Sequence, residues 1–127
     1  MKKIPFYEDL INRFIYGVEK TKNVDYADKN SVKNNNKGVA EYRNAAQQIG
    51  ELYPEYIENF SILLKSDDIK IRLCCAICMV ELMTCSIEQM HRAFLVVEEY
   101  YNVHADNSER MMIGVWLERY KKQKIKY

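Results

Sequence analysis

Four cysteines and two histidines are the side chains best suited to metal binding or nucleophilic chemistry. The cysteines all lie in one short stretch: Cys74, Cys75, Cys78 and Cys85. Cys74 and Cys78 would share one face of a helix, but zinc wants four ligands that converge from separate segments. Neither His91 nor His104 lies at a ligand spacing from them. We therefore predict no metal and no cofactor, and interpret the cysteines as buried, reduced thiols that pack as small hydrophobes.

Catalytic patterns are equally weak. A nucleophile needs an oriented base, and His91, near the start of a predicted helix, is better interpreted as a surface residue. The paired carboxylates Asp67–Asp68 and Glu98–Glu99 are adjacent in sequence, so the two members of each pair point in different directions on a helix. The chain has no glycine-rich phosphate loop and no G-x-S-x-G motif. We predict no catalytic residues and a protein that is not an enzyme.

Ten tyrosines offer a different kind of chemistry. Several fall at predicted helix ends within acidic segments, and tyrosine is enriched at protein interfaces because it buries a large area while keeping a polar hydroxyl. Half-buried packing residues would give the same pattern, and the sequence leaves both interpretations open. Our candidate partner contacts are Glu51, Tyr53, Glu55, Tyr56, Glu58, Glu98 and Tyr101.

The distribution of charge indicates what kind of partner to expect. The formal net charge is only +1, which argues against bulk electrostatic binding of nucleic acid. Residues 51–99 carry nine Asp/Glu against four Lys/Arg, whereas both ends of the chain are mildly basic. An acidic centre favours a basic protein as the partner.

The location of the protein follows from its apolar segments. No apolar run approaches the roughly 18 residues that a membrane span needs. Charged and polar residues such as Glu8, Asp9 and Arg13 interrupt the N-terminal segment, so it does not read as a signal peptide. We predict a cytoplasmic protein that does not bind membranes.

Helical periodicity organises the whole chain into one domain. Only four glycines and two prolines are present, fewer than an all-β domain needs. We predict an all-α fold of six helices in antiparallel pairs: 6–22, 28–52, one from Pro54, 69–84, 86–101 with a Ser86–Gln89 capping box, and one capped by Asn107 or Ser108. Tyr56 falls in the predicted buried stripe of the third helix, 102–107 reads as a polar loop, and the basic tail 121–127 as frayed.

An internal repeat suggests how the helices stack. Asp68-x-x-x-Arg72 is matched 38 residues later by Asp106-x-x-x-Arg110, each followed four residues on by a small residue that would let helices approach closely. A degenerate third copy begins at Asn30 and places Gly38 at that position. A period near 40 residues with two helices per unit is typical of an α-solenoid, and the chain has room for three units.

The stretch from Leu63 to Ala76 resembles the inter-helix turn and second helix of a HEAT repeat. The resemblance implies that Asp67 or Asp68, together with Arg72, belongs to a polar ladder between repeats, as Asp106 and Arg110 would in the next unit. Cys74, Cys75 and Cys78 depart from the usual small aliphatic residues.

The longer span 28–118 resembles an uncharacterised bacterial family of short HEAT-like domains. Small proteins of this kind are similar to immunity proteins of contact-dependent growth inhibition systems, which neutralise the toxic domain of a large effector. The resemblance implies an inhibitor of a basic toxin domain, with a ribonuclease as the first choice. Two alternatives remain: a HEAT-like enzyme of the DNA glycosylase type, which would need a basic concave face, and a non-inhibitory scaffold or adaptor.

Overall fold

A computed structural model describes residues 3–124 of the 127-residue chain. Within that range the regular structure consists of helices, and no strand is formed, so the prediction of an all-α fold is confirmed. The helices are α1 (Tyr7–Glu19), α2 (Lys29–Leu52), α3 (Ile57–Phe60), α4 (Ile69–Leu82), α5 (Ile87–Glu99) and α6 (Asn107–Lys124). Helix α3 is flanked by the 3₁₀ turns Pro54–Tyr56 and Ser61–Lys65, and α5 continues into a π turn, Tyr100–His104.

Short polar side chains set the starts of three helices. Asp28 accepts a hydrogen bond from the Asn30 amide at the start of α2, and Asp68 accepts from amides in the first turn of α4. At the start of α5, Ser86 and Gln89 exchange hydrogen bonds of 3.1 and 2.9 Å and form the predicted capping box. These bonds satisfy amides that have no partner within their own helix.

Helices α1 and α2 form a tight antiparallel pair. The Tyr53 hydroxyl at the end of α2 donates to the Pro5 carbonyl just before α1, at 2.6 Å. Further along the pair, Gly17 and Gly38 bring the two backbones together, since a Cβ built on Gly38 would lie 2.6 Å from the Gly17 oxygen. Gly38 thus allows the close approach that the repeat pattern predicts.

Helix α4 lies at the centre of the core and is apolar on nearly every side. It packs against α1, α2 and α5 and against the 3₁₀ turn that precedes it. The largest fully buried rings around it are Phe14, Phe60 and Phe94. Three cysteines of α4 are buried as predicted (Cys74, Cys75 and Cys78), whereas Cys85 beyond its end is half-buried.

Two local predictions are wrong. The segment from Pro54 to Lys65 is a short helix between 3₁₀ turns, not one regular helix, and it leaves Tyr56 exposed at 40% where a buried position was predicted. The first half of the predicted loop 102–107 belongs to the π turn Tyr100–His104. The basic tail is helical as far as Lys124, residues 125–127 lie outside the described part of the chain, and fraying of the tail stays a prediction.

Helix α6 differs from its prediction at its first residue. Its cap is Asp106, not Asn107 or Ser108. The Asp106 carboxylate accepts from the Glu109 amide at 2.8 Å, and Glu109 returns a bond of 3.1 Å from its own carboxylate to the Asp106 amide. Asp68 and Asp106, the two aspartates of the 38-residue repeat, therefore perform the same capping role.

The predicted ladder residues make other contacts than expected. Arg72 donates to the Ser66 carbonyl at 3.0 Å and approaches the Glu99 carboxylate at 3.5 Å. Asp68 forms its ion pair with Lys22 of the α1–α2 connection. Arg72 therefore braces the turn before its own helix and bridges to α5, but does not pair with Asp68.

Asp67 and Arg110 are the remaining residues that were predicted to belong to the polar ladder. Asp67 is exposed, and Arg110 lies over the Tyr101 ring at 4.8 Å from the ring centre. Whether the helix pairs repeat as a HEAT solenoid stays a prediction.

Candidate protein-binding surface

Three tyrosine rings meet where α1 begins and α2 ends. Tyr7 lies in the first turn of α1, Tyr53 follows α2, and Tyr56 belongs to the 3₁₀ turn that Pro54 begins. The Tyr7 ring centre is 6.1 Å from that of Tyr53 and 4.9 Å from that of Tyr56, and the last two are 5.8 Å apart. Contacts of this kind favour a fixed arrangement of the rings. We call these three residues the tyrosine cluster.

Each ring of the cluster has a different environment. Tyr53 is held by its hydrogen bond to the Pro5 carbonyl. Tyr7 is half-buried, and burial is the main reason that its pKa is raised, with smaller contributions from Cys75 and Glu8. Tyr56 is the exposed member. The cluster therefore presents one aromatic ring to solvent and supports it with two others.

Exposed apolar side chains and carboxylates lie close in sequence to Tyr56 or to the other two rings of the cluster. Phe6 is 69% exposed and follows Pro5, the residue bound by Tyr53, while Leu52 directly precedes Tyr53. Glu51 accepts one bond from Gln47 at 3.1 Å, and Glu55 has neither a hydrogen bond nor an ion pair with any of residues 3–124. The surface formed by Phe6, Glu51, Leu52, Glu55 and Tyr56 is called the tyrosine patch below.

Glu58 and Glu98 are engaged within the chain. The Glu58 carboxylate accepts from Arg92 at 2.7 Å and from Gln89 at 3.1 Å, and these bonds lower its pKa. Glu98 accepts from Lys121 of α6 at 3.2 Å. Each side chain joins two segments of the protein and has its charge balanced by a neighbouring cation.

Tyr101 lies at a different place from the tyrosine cluster. Its ring packs against Gly114 of α6, where an added Cβ would be 3.4 Å away, and it lies beneath Arg110. The seven predicted contacts therefore separate. Four belong to the tyrosine cluster or patch (Glu51, Tyr53, Glu55 and Tyr56), and three make intramolecular contacts elsewhere (Glu58, Glu98 and Tyr101).

Internal ion pairs reduce the acidic character of residues 51–99. Five of its nine acidic side chains are paired with Lys or Arg: Glu58–Arg92, Asp68–Lys22, Glu81–Arg43, Glu98–Lys121 and Glu99–Arg72. Three of the cations come from the basic ends of the chain, so the ends neutralise the centre. Of the acidic side chains in residues 51–99 that form no ion pair with another described residue, Glu51 and Glu55 are the two nearest in sequence to Tyr53 and Tyr56.

Sequence analysis missed the role of Glu81. This carboxylate accepts from Arg43 of α2 at 2.8 Å and from the indole nitrogen of Trp116 of α6 at 2.6 Å. Its side chain therefore connects three helices. The available signal was a single acidic residue that follows the apolar run from Leu73 to Val80 in α4, where a carboxylate close to the core needs partners.

The three cysteine thiols of α4 lie in surroundings that disfavour the thiolate form. Burial raises the pKa of Cys74, Cys75 and Cys78, which keeps them as thiols at neutral pH. Among residues 3–124, no group of three or more His, Cys, Asp or Glu side chains could hold a metal ion. Cys85 lines a small open pocket of about 230 Å³ together with Met83 and Met90, below the usual size of a small-molecule site.

In the described part of the chain, no helix combines the length and apolar character needed to cross a membrane. Comparisons of the chain with protein families, with curated proteins and with solved structures found no match.

Proposed function

We propose that this protein is an immunity-type inhibitor, which binds a basic bacterial toxin domain in the cytoplasm and neutralises it by direct contact. The observation that supports this proposal most strongly is the tyrosine patch. It combines exposed aromatic and aliphatic side chains with Glu51 and Glu55, neither of which forms an ion pair with another described residue. Apolar anchors surrounded by a polar rim are typical of protein interfaces.

The tyrosine patch suits a basic partner for two reasons. Glu51 and Glu55 can pair with lysine or arginine of the partner without first breaking an internal ion pair. The exposed face of the Tyr56 ring can also accept a cation, with arginine the most frequent choice in proteins. Nuclease domains present clustered cations because their substrate is a polyanion, and a ribonuclease toxin is therefore our first choice of partner.

Preorganisation is the second argument for this site. Tyr53 is fixed by its bond to the Pro5 carbonyl, and the Tyr7 and Tyr53 rings both contact Tyr56. A side chain that is already held in place loses less conformational freedom on binding. Tyr56 is therefore the anchor of the proposed interface, and Tyr7 and Tyr53 position it.

The alternatives have less support. A DNA glycosylase-type enzyme would place an acidic residue beside accessible aromatic rings in a basic groove. Trp116, the single tryptophan, instead donates to Glu81 and packs between Phe94 and Tyr120. A scaffold could use the same tyrosine patch as an inhibitor, and only the effect on a partner's activity separates these two functions.

The test is co-expression with a basic toxin domain, for which a large effector encoded next to this gene would be the first candidate. We expect the wild-type protein to restore growth of cells that produce the toxin and to bind the purified toxin with 1:1 stoichiometry. The Tyr56→Ala variant should lose most of this protection, whereas Leu95→Ala, which alters an exposed leucine of α5, should keep it. A complex that leaves the toxin active would favour a scaffold. Absence of any complex, together with tight binding to duplex DNA at physiological salt, would refute the proposal.

A further inference from the structure

A second exposed apolar surface runs along the outer face of α6. Met111 is 76% exposed and Val115 is 65% exposed, and Met112 is similarly open. Their spacing of three and four residues places them on one side of the helix. Ile113 and Trp116 of the same helix pack on the core. We call Met111, Met112 and Val115 the methionine stripe.

Basic residues continue the methionine stripe. Arg119 and Lys122 lie four and seven residues after Val115, on the same side of α6, and both are exposed. Neither forms an ion pair with any of residues 3–124. Glu118 lies on one flank of the stripe, so the local balance is positive. Methionine side chains adapt easily to a partner's shape.

The tyrosine patch has the complementary properties. It offers Phe6, Leu52 and Tyr56 as apolar contacts and the unpaired Glu51 and Glu55 as anions. The two surfaces therefore match in both apolar character and charge. Docking one methionine stripe on another would instead bring the cations of both copies together, which costs energy.

We propose that the methionine stripe of one molecule docks on the tyrosine patch of a second copy of this chain. The contact is heterologous, because each molecule contributes a different surface, so it can extend into longer assemblies. The net charge of +1 gives little repulsion between copies. Two small patches bury a modest area, so the association is weak. This self-association needs no toxin and goes beyond the proposed function.

The shared use of the tyrosine patch has a functional consequence. A basic toxin domain and a second copy compete for Glu51, Glu55 and Tyr56. Toxin binding therefore dissociates the assembly, and the protein is stored in a form whose binding surface is covered. The self-association is measured with this protein alone, so its outcome does not depend on whether the proposed function is correct.

Sedimentation velocity of the full-length protein over a wide concentration range tests the contact. We expect the average mass to rise with concentration above the 15.1 kDa of one chain and to fall again as salt is added. Met111→Gln with Val115→Gln should weaken association about tenfold, and so should Glu51→Lys with Glu55→Lys. Leu95→Gln, which changes a leucine with the same 65% exposure as Val115, should have no effect. Arg119→Glu provides a second stripe variant should the first not fold, as judged by circular dichroism.

Mixing the two double variants identifies the geometry. Each variant keeps one intact surface, so the pair should form a 1:1 heterodimer of twice the monomer mass that does not grow further. A wild-type protein that stays monomeric at all concentrations overturns the proposal. If the stripe variant loses association and the Glu51→Lys, Glu55→Lys variant does not, the contact is a symmetric one between two α6 helices, which also overturns the proposal. The absence of a heterodimer from the mixture overturns it as well.

Discussion

Gly17 of α1 and Gly38 of α2 face each other so closely that neither position has room for a Cβ. A Cβ on Gly17 would lie 2.8 Å from the Gly38 oxygen, and one on Gly38 would lie 2.6 Å from the Gly17 oxygen. An exposed helical Gly→Ala change gains about 1 kcal/mol. Here we expect Gly38→Ala to cost about 2 kcal/mol because backbone would have to move. Urea unfolding measures the difference.

Gly114 of α6 is the matched control. A Cβ there would meet the Tyr101 ring at 3.4 Å, which is ordinary contact. Gly114→Ala should therefore stabilise the protein by about 0.5–1 kcal/mol. If Gly38→Ala is also stabilising, the tight crossing of α1 and α2 is not required by the fold.

The helices were predictable because their signals are local. Apolar side chains repeat at helical spacing, and the caps of α2, α4 and α5 are adjacent in sequence to the amides that they satisfy. The exposure of Tyr56 was not predictable in this way. A regular helix from Pro54 would bury it, but the 3₁₀ turn rotates its side chain outward.

The candidate site was only partly predictable for a different reason. The sequence places Tyr53, Glu55 and Tyr56 close together, so that part of the surface follows from adjacency. The pairing of Glu58 with Arg92 does not, because these residues are 34 positions apart. Sequence composition counts the charge of Glu58 but cannot show that a distant cation cancels it.

Glu81 should be critical for the packing of α2, α4 and α6. Removing its carboxylate with Glu81→Ala leaves Arg43 and the Trp116 indole without their acceptor. We expect a loss of about 2 kcal/mol by urea unfolding, since two partly buried donors would lose their acceptor. Glu81→Gln keeps an acceptor for Trp116 and should lose about half as much. Glu118→Ala, a change at an exposed residue of α6, should alter the free energy of unfolding by no more than about 0.5 kcal/mol. If Glu81→Ala has no larger effect than Glu118→Ala, Glu81 does not hold the three helices together.

Arg72 should stabilise the turn between α3 and α4. Its guanidinium bonds the Ser66 carbonyl at 3.0 Å and approaches Glu99 of α5 at 3.5 Å. Arg72→Ala should lower the free energy of unfolding by about 1–1.5 kcal/mol, mostly through the bond to the carbonyl, because Glu99 is largely exposed. The control is Arg119→Ala, which removes the side chain of an exposed arginine of α6. A loss below about 0.5 kcal/mol would show that Arg72 acts as an ordinary surface residue.

Asp68 should make stability depend on pH in the acid range. Burial alone would raise its pKa, but the Lys22 ammonium and the Ile71 and Lys70 amides outweigh burial and hold the pKa below the usual 3.8. A lowered folded-state pKa means that the stabilisation is complete above pH 3.8 and is lost as the pH falls through the folded value. Asp68→Asn keeps a helix cap and removes the charge. It should lower stability at pH 6 and flatten the decline below about pH 4, and an unchanged profile would refute the assignment.

The charged and the aromatic residues of the tyrosine patch should affect different rate constants when a basic toxin domain binds. Glu51→Lys with Glu55→Lys should slow association and weaken its dependence on salt, because these carboxylates attract the partner at a distance. Tyr56→Ala should mainly raise the dissociation rate, since it removes an anchor that becomes buried in the complex.

Glu58 provides the decisive comparison for that prediction. Although it lies only three residues after Glu55, its charge is already balanced by Arg92, and it also accepts a hydrogen bond from Gln89. Glu58→Gln should therefore change the association rate little, and its main effect should be on the thermal midpoint, because it weakens the contact with α5. Kinetics measured with thermal unfolding distinguish the two effects. If Glu58→Gln slows association as much as neutralising Glu55 does, the paired carboxylates also steer the partner, and the acidic surface extends beyond the tyrosine patch.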